Sequence, residues 1–140
     1  MKKALVVTAV LFMAFVFVHE LSQAQESDIS QAWLIGTWTG GWPSPGGYGV
    51  DDRVEIVFAD GGKFSGDLQS RRSSFMIYFN NGKFLISDGK VMLEGIYKGG
   101  PGFVNGTKFT AVLQRDGDTL VGTWFGSRAY DVTFRKDKKK

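Results

Sequence analysis

The sequence contains no cysteine and a single histidine, His19. The lack of cysteine excludes disulfide bonds, thiolate nucleophiles and thiolate zinc sites. His19 directly follows an N-terminal apolar run that we expect to be removed, so the mature chain would also lack the imidazole of a Ser-His-Asp triad. We therefore predict no metal site and no cofactor.

Paired carboxylates are the remaining route to acid–base catalysis without histidine. Asp51 and Asp52 are adjacent in the sequence and would point to opposite faces of a strand. Asp116 and Asp118 flank Gly117 in a predicted turn, where aspartate is expected for backbone reasons alone. Neither pair supports catalysis, so we assign no catalytic residue and expect a protein that is not an enzyme.

The longest apolar run is too short to cross a bilayer as a helix. Lys2 and Lys3 precede this run, which covers residues 4–18, whereas a spanning helix needs roughly 20 residues. Ser22 and Ala24 place small residues at the two positions that a signal peptidase reads. We predict a signal peptide over residues 1–24, an extracytoplasmic protein (periplasmic or secreted), and no stable membrane span after cleavage. An uncleaved N-terminal anchor is the alternative.

Positive charge is concentrated at the C-terminus. The formal net charge of the whole chain is +3, and four lysines lie within residues 136–140. The rest of the chain offers no general basic face, so we expect no nucleic-acid partner. The predicted organisation is a single β-barrel domain over residues 25–135 followed by a basic tail over residues 136–140.

The apolar residues of the mature sequence show no helical periodicity, which indicates an all-β fold. Apolar and polar residues alternate over residues 54–58 and 130–134, which is typical of strands with one buried face. Strands are predicted near residues 34–40, 52–59, 63–69, 74–79, 83–87, 90–97, 106–115, 118–125 and 129–135. Asn-Gly and Asp-Gly turns predict tight antiparallel hairpins at residues 59–62, 80–82, 87–89 and 115–118. Two longer glycine- and proline-rich loops, at residues 40–49 and 99–106, would frame an open mouth.

Short connections between the strands favour an antiparallel up-and-down meander, and closing it into a barrel of about eight strands removes the exposed edges. A short sequence motif, with glycine two positions before a large apolar residue, recurs four times at nearly even spacing. The glycines share strand parity with apolar neighbours and are predicted to point inward, where they would make room for aromatic rings or leave a cavity. Packing favours a solid aromatic core, and a ligand pocket stays open as the alternative. These glycines are Gly36, Gly66, Gly95 and Gly122.

The strands Leu34-Ile35-Gly36-Thr37-Trp38 and Leu120-Val121-Gly122-Thr123-Trp124 resemble the Gly-x-Trp strands of the calycin superfamily, which includes the lipocalin-like and avidin-like barrels. The segment over residues 60–66 is similar to the second hairpin of an avidin-like barrel. This resemblance implies a barrel that holds a ligand. It does not imply a biotin site, because residues 40–42 replace the polar cluster that follows the first strand in avidin-like proteins, and only Ser44 matches it.

Aromatic residues are the candidate ligand contacts. By the calycin pattern, Trp38 would plug the closed end of the barrel. Trp38 and Trp124 are both predicted to be core residues, with ligand contact as the alternative. Trp42 is predicted in a loop at the open end, with Tyr48 in the same loop and Tyr97 at the same rim. Trp33 is expected to cover the other opening. The candidate ligand-binding residues are Trp42, Ser44, Tyr48, Tyr97, Trp38 and Trp124.

Two functions compete on this basis. The predicted inward side chains are nearly all apolar, so the barrel would bind a small, largely apolar or aromatic ligand at its open end. In the alternative, the barrel is solid and its glycine-rich loops contact another protein of the cell envelope, as an inhibitor or an assembly factor. A cavity that is open to solvent favours the first function, and a filled interior favours the second.

Overall fold

The computed structural model describes residues 29–42, 52–70 and 75–139 of the 140-residue chain. Within these ranges one short helix, α1 (Gln31–Leu34), precedes eight strands. The strands are β1 (Gly36–Trp42), β2 (Asp52–Ala59), β3 (Lys63–Gln69), β4 (Met76–Ser87), β5 (Lys90–Gly99), β6 (Lys108–Asp116), β7 (Thr119–Phe125) and β8 (Ala129–Lys136). The predicted signal peptide, and Ser44 and Tyr48, lie outside the described residues.

The eight strands form a closed barrel in which each strand pairs with its sequence neighbours and β1 pairs with β8. All of these pairs are antiparallel. The prediction of an all-β, up-and-down barrel of about eight strands is confirmed, and this is the fold that the calycin resemblance implies. We call the end with α1 and the β2–β3, β4–β5 and β6–β7 turns the helix end, and the opposite end the loop end.

Turn chemistry explains the hairpins at the helix end. Asp88 and Gly89 have φ angles of 51° and 70°, as a tight hairpin between β4 and β5 requires. Gly117 has a φ angle of 62° in the turn between β6 and β7. The turns predicted at residues 59–62, 87–89 and 115–118 are therefore confirmed.

The hairpin predicted at residues 80–82 is wrong. Residues 76–87 form one continuous strand, β4, and the two strands predicted there are its two halves. Asn81 takes the left-handed conformation, with φ at 53°, but its effect is a β-bulge, because the register shifts between Asn80 and Lys83 against β5. The sequence signal for positive φ was correct; both neighbouring strands pair across it, so the chain bulges instead of reversing.

The start of the barrel also differs from prediction. Leu34 belongs to α1, which Ser30 caps by accepting a hydrogen bond from the Trp33 backbone N–H at 3.1 Å. Strand β1 begins later than predicted and runs through residues 40–42, which were predicted to form a loop. A Cβ at Gly40 would lie 1.9 Å from the Thr133 carbonyl oxygen, so glycine permits the close approach of β1 to β8. Trp42 is therefore the last residue of a strand and pairs with Asp52.

The core consists of the inward side chains of the barrel, supplemented by α1. Alternate residues of β2 are buried, namely Val54, Ile56 and Phe58, which matches the predicted alternation. Leu34 of α1 is fully buried with them. None of the helices within the described ranges is long and apolar enough to cross a membrane.

Candidate functional site

The helix end of the barrel is closed by α1 and the residues packed on it. The Trp38 indole N–H donates to the Leu34 carbonyl oxygen at 2.7 Å, and the ring centroids of Trp33 and Trp38 are 4.9 Å apart, edge to face. The Lys136 ammonium donates to the Trp33 carbonyl oxygen, and the Arg115 guanidinium lies 4.4 Å from the centre of the Trp33 ring. Trp33 thus packs over this opening, as predicted.

An aromatic cluster fills the barrel beyond Trp38. Phe109 stacks on both Tyr97 and Trp124, with centroid distances of 4.6 and 4.8 Å and interplanar angles of 27° and 14°. The rings of Phe79 and Phe64 meet Phe109 at 5.0 and 6.1 Å. The favoured expectation of an aromatic core therefore describes this part of the barrel. The cluster consists of Phe64, Phe79, Tyr97, Phe109 and Trp124.

One hydrogen bond between side chains crosses the aromatic cluster. The Trp124 indole N–H donates to the Tyr97 hydroxyl oxygen at 2.8 Å. Burial raises the pKa of Tyr97, while this hydrogen bond lowers it and the nearby Tyr130 raises it to a smaller extent. The phenol is therefore held neutral inside the barrel, and its oxygen acts as an acceptor for Trp124.

The barrel wall contains an open cleft with a volume of about 820 Å³. This volume lies within the range of roughly 300–1,000 Å³ that is typical of sites for small molecules. Its lining comes from β3, β4, β5 and β6 and from Ala59 at the end of β2, so the cleft opens through the side of the barrel and not through an end. Phe64, Phe79 and Phe109 of the aromatic cluster form its apolar inner part.

Two glycines and the β4 bulge account for the position of the cleft. Asn81 and Gly82 of β4 stand opposite Gly95 of β5, because the ladder passes from the Asn80–Ile96 pair directly to the Lys83–Glu94 pair. A Cβ at Gly95 would lie 2.5 Å from Cζ of Phe109, so the phenyl ring occupies the space that a side chain would fill. Gly82 and Gly95 contribute no side chains to the wall at this point, and Phe109 of the aromatic cluster lies directly behind Gly95.

The repeated glycines do not all act in the same way. A Cβ at Gly95 would meet the Phe109 ring at 2.5 Å, whereas a Cβ at Gly66 would lie 2.0 Å from the Glu55 carbonyl oxygen and 3.1 Å from the Phe79 ring. A Cβ at Gly122 would instead meet the Val112 carbonyl oxygen at 2.0 Å, and one at Gly36 would meet the Lys136 side chain. Of the two roles predicted for inward glycines, making room for a ring is found at Gly95 and in part at Gly66, whereas Gly36 lies against a lysine side chain and Gly122 against backbone.

The outer rim of the cleft is polar and carries more positive than negative charge. Lys63, Lys83 and Lys108 line it together with one acid, Glu94. Asparagine, serine and threonine side chains complete the rim: Asn80, Asn81, Ser65 and Thr110. The cleft therefore joins an apolar interior to a cationic surface.

The predicted site residues are distributed over different parts of the barrel. Trp38 and Trp124 are fully buried, and Tyr97 is 9% exposed. Tyr97 and Trp124 lie together in the aromatic cluster, whereas Trp38 lies at the closed helix end. Trp42 ends β1 at the loop end, and its side chain is outside the described part. Their roles as ligand contacts stay predictions.

Sequence reasoning missed the lining of the cleft because it looked for an entrance at the end of the barrel. The usable signal was Asn80-Asn81-Gly82, which was interpreted as a hairpin turn, together with Gly95 on the inward parity. The sequence did not show which lysines surround the opening, because their positions depend on the register of four strands. Among residues 29–42, 52–70 and 75–139, no three His, Cys, Asp or Glu side chains group as metal ligands.

Comparison with known proteins gives a distant structural likeness. A crystal structure of a mutant of the fluorescent protein UnaG is similar to this chain, with a TM-score of 0.44 and 14% sequence identity. The match covers 79% of this chain and 100% of that chain. No protein-family model matches the sequence, and no curated protein is similar to it in sequence.

Proposed function

We propose that this protein is a non-enzymatic, extracytoplasmic β-barrel that binds a small, largely apolar or aromatic ligand. The observation that carries the proposal is the cleft of about 820 Å³ that reaches the aromatic cluster through the barrel wall. The rings of Phe64, Phe79 and Phe109 border this cleft and give it an apolar inner part for such a ligand. The site differs from the predicted open end and lies at the β4 bulge.

The non-enzymatic and extracytoplasmic parts of the proposal are supported by the sequence. A mature chain that starts after Ala24 would have neither histidine nor cysteine, and the cleft lining contains a single carboxylate, Glu94. A single carboxylate cannot serve as the acid–base pair that hydrolysis without histidine generally requires. The lysines and the short apolar run of residues 1–24 support export.

Native mass spectrometry tests the proposal most directly. The mature protein is purified from its own envelope or culture fluid, and its mass is compared with that of protein refolded from denaturant. We expect a small-molecule adduct on the native sample that the refolded sample lacks. A bare native protein that also fails to bind a panel of fluorescent apolar probes would contradict the proposal.

A pair of substitutions then locates the site. Thr110→Trp places a bulky side chain in the cleft, and Thr133→Trp on the outer face of β8 is its control, since Thr133 does not line the cleft. We expect Thr110→Trp to abolish adduct formation and the control to retain it. Trp42→Ala tests the loop end: loss of binding in Trp42→Ala, with an unchanged melting temperature and normal binding by Thr110→Trp, would move the site to that end.

A protein partner is the second candidate function, and one loop favours it. Phe103 is 84% exposed on the loop between β5 and β6. That loop is held in place, because the Asn105 side chain accepts from the Gly99 N–H at 2.9 Å and the Gly106 N–H donates to the Tyr97 carbonyl at 2.7 Å. An exposed aromatic ring on a fixed loop suits a protein contact. Recovery of a stoichiometric envelope protein with a bare barrel would favour this function.

A further inference from the structure

We propose that the ligand of the cleft is a planar aromatic anion, whose acidic group is bound by Lys63, Lys83 and Lys108 while its ring packs against Phe64, Phe79 and Phe109. This inference rests on the proposed ligand-binding function and specifies its ligand class. Three observations support it: the arrangement of the lysines, the presence of one acid against three lysines, and the cleft that rim and rings line together.

The lysines are placed by strand register. Lys63 of β3 and Lys83 of β4 are direct cross-strand partners. Two like charges at such a position repel each other, and a directly opposed pair destabilises a sheet. Lys108 enters the same rim from β6, where it pairs with Ile96. A bound anion would offset the repulsion between the two paired lysines.

Few acidic groups compensate these lysines. Glu94, the partner of Lys83 across β4 and β5, is the single acid in the cleft lining. The ion pair between Arg53 and Glu55, at 3.4 Å, is not part of the cleft. All three lysines are exposed, so their ammonium groups can move to a ligand at little cost in desolvation. The rim therefore offers an excess of two positive charges.

The rings lie behind the rim at two positions of the wall that have no side chain, Gly82 and Gly95. Gly82 and Gly95 are neighbours of the bulge, and Phe109 occupies the space of a Gly95 side chain. Within the cleft the rim charges and the ring edges border the same open volume. One small molecule can therefore contact both, provided that its acidic group is attached directly to a flat apolar body. Such a molecule is an aromatic carboxylate or sulfonate, and the rim amides and hydroxyls can donate further hydrogen bonds to it.

Two probes with nearly the same ring frame separate charge from apolar contact. Anilinonaphthalene sulfonate carries a sulfonate, and N-phenylnaphthylamine is its uncharged counterpart. Both gain fluorescence in an apolar site, so their dissociation constants are measured by titration of the folded protein. We expect the sulfonate to bind more tightly than the neutral probe, and we expect this preference to decrease when salt is raised from about 0.05 to 0.5 M, because screening weakens exposed charge pairs.

The lysine variants assign the preference to the cleft. The double variant Lys63→Gln with Lys83→Gln is expected to weaken sulfonate binding about five- to tenfold and Lys108→Gln about two- to fivefold. Binding of the neutral probe should stay within about twofold in both variants. Lys90→Gln removes an exposed lysine at the start of β5, outside the cleft lining, and is the matched control. These substitutions are on the surface, so the melting temperature should stay close to that of the parent protein.

Each outcome has one meaning. Tighter binding of the sulfonate that is lost in the cleft variants and retained in Lys90→Gln supports the proposal. Equal binding of both probes, or equal losses in the cleft variants and the control, overturns the anion preference and leaves the binding function intact. Failure of both probes to bind saturably contradicts ligand binding itself.

Discussion

The helix end and the cleft wall of this barrel are built from similar strands, but their side chains make different contacts. At the helix end, the polar group of a fully buried tryptophan has a partner inside the fold, because the Trp38 indole N–H donates to the Leu34 carbonyl oxygen at 2.7 Å. In the cleft wall, a bulge and two glycines remove side chains from the strands, and three lysines line the rim with one acid. The helix end is closed by contacts within the fold, whereas the rim of the cleft presents charged groups that can contact a second molecule.

The difference shows where stability and binding lie in a small barrel. Residues that close an end contribute to stability and are poor candidates for binding, even when they are tryptophans in a recognisable strand pattern. Residues that surround a gap in the wall contribute less to folding and can be selected for a ligand. Substitutions in the two regions should therefore have effects of different size and kind.

The largest effect is expected at the helix end. Trp38→Ala removes a fully buried indole and should lower the free energy of unfolding by about 3–5 kcal/mol, measured by urea denaturation. Trp38→Phe retains a ring and should cost less. A mild effect of Trp38→Ala together with lost ligand binding would show that this residue is a ligand contact and that the helix end is not purely structural.

A smaller loss is expected in the cleft wall. Gly95→Ala forces a Cβ to within 2.5 Å of Cζ of Phe109, so the ring must shift, and we expect a loss of about 2 kcal/mol. Gly102→Ala is the matched control, because a Cβ there would meet nothing within 4 Å. Probe binding should fall in Gly95→Ala and persist in the control. If both variants were equally stable, the close packing of Phe109 on the wall would be contradicted.

The aromatic cluster should show an intermediate effect that depends on pH. Tyr97→Phe removes the acceptor at 2.8 Å from the Trp124 indole nitrogen and should cost about 1 kcal/mol at neutral pH. Burial raises the pKa of Tyr97 in the folded state, so its neutral form stabilises the fold below the unfolded pKa of about 10, and this stability is lost as pH rises above it. The parent protein should therefore lose stability above pH ~10 more steeply than Tyr97→Phe.

Tyr78→Phe provides the control for that pH profile, since Tyr78 is 52% exposed on the outer face of β4. Denaturation midpoints are measured for both variants and the parent between neutral and alkaline pH. An alkaline profile that is the same for Tyr97→Phe and for the parent would show that the buried phenol is not responsible for the pH dependence.

The smallest effect returns to the helix end. Arg115→Ala removes a guanidinium 4.4 Å from the Trp33 ring centre and should lower stability by about 0.5 kcal/mol, since cation–π contacts near solvent are weak. Arg135→Ala, on the exposed face of β8, is the control. A larger loss, comparable to that of Trp38→Ala, would mean that Arg115 holds α1 in place and that the end is closed from outside as well as from within.

Prediction from sequence succeeded where the signal was local. Alternation over residues 54–58 and the turn at residues 87–89 depend on neighbouring residues alone, and both are found in the structure. The same local logic failed at residues 80–82, where a turn-forming triplet lies within one strand. Local sequence signals also failed to predict α1, because a helix of one turn has no periodic pattern of apolar residues. This helix depends on the Ser30 cap and on the packing of Trp33.

The sequence by itself determined an all-β chain and a closed meander, because the alternation of apolar residues and the positive-φ residues of the turns act over a few positions. Only the tertiary structure decided which groups meet. The Lys63–Lys83 pair, the position of Phe109 behind Gly95 and the Tyr97–Trp124 hydrogen bond each depend on strands brought into register across the barrel. Register is set by packing of the whole core around the β4 bulge, and so the cleft could not be located from any one segment of the sequence.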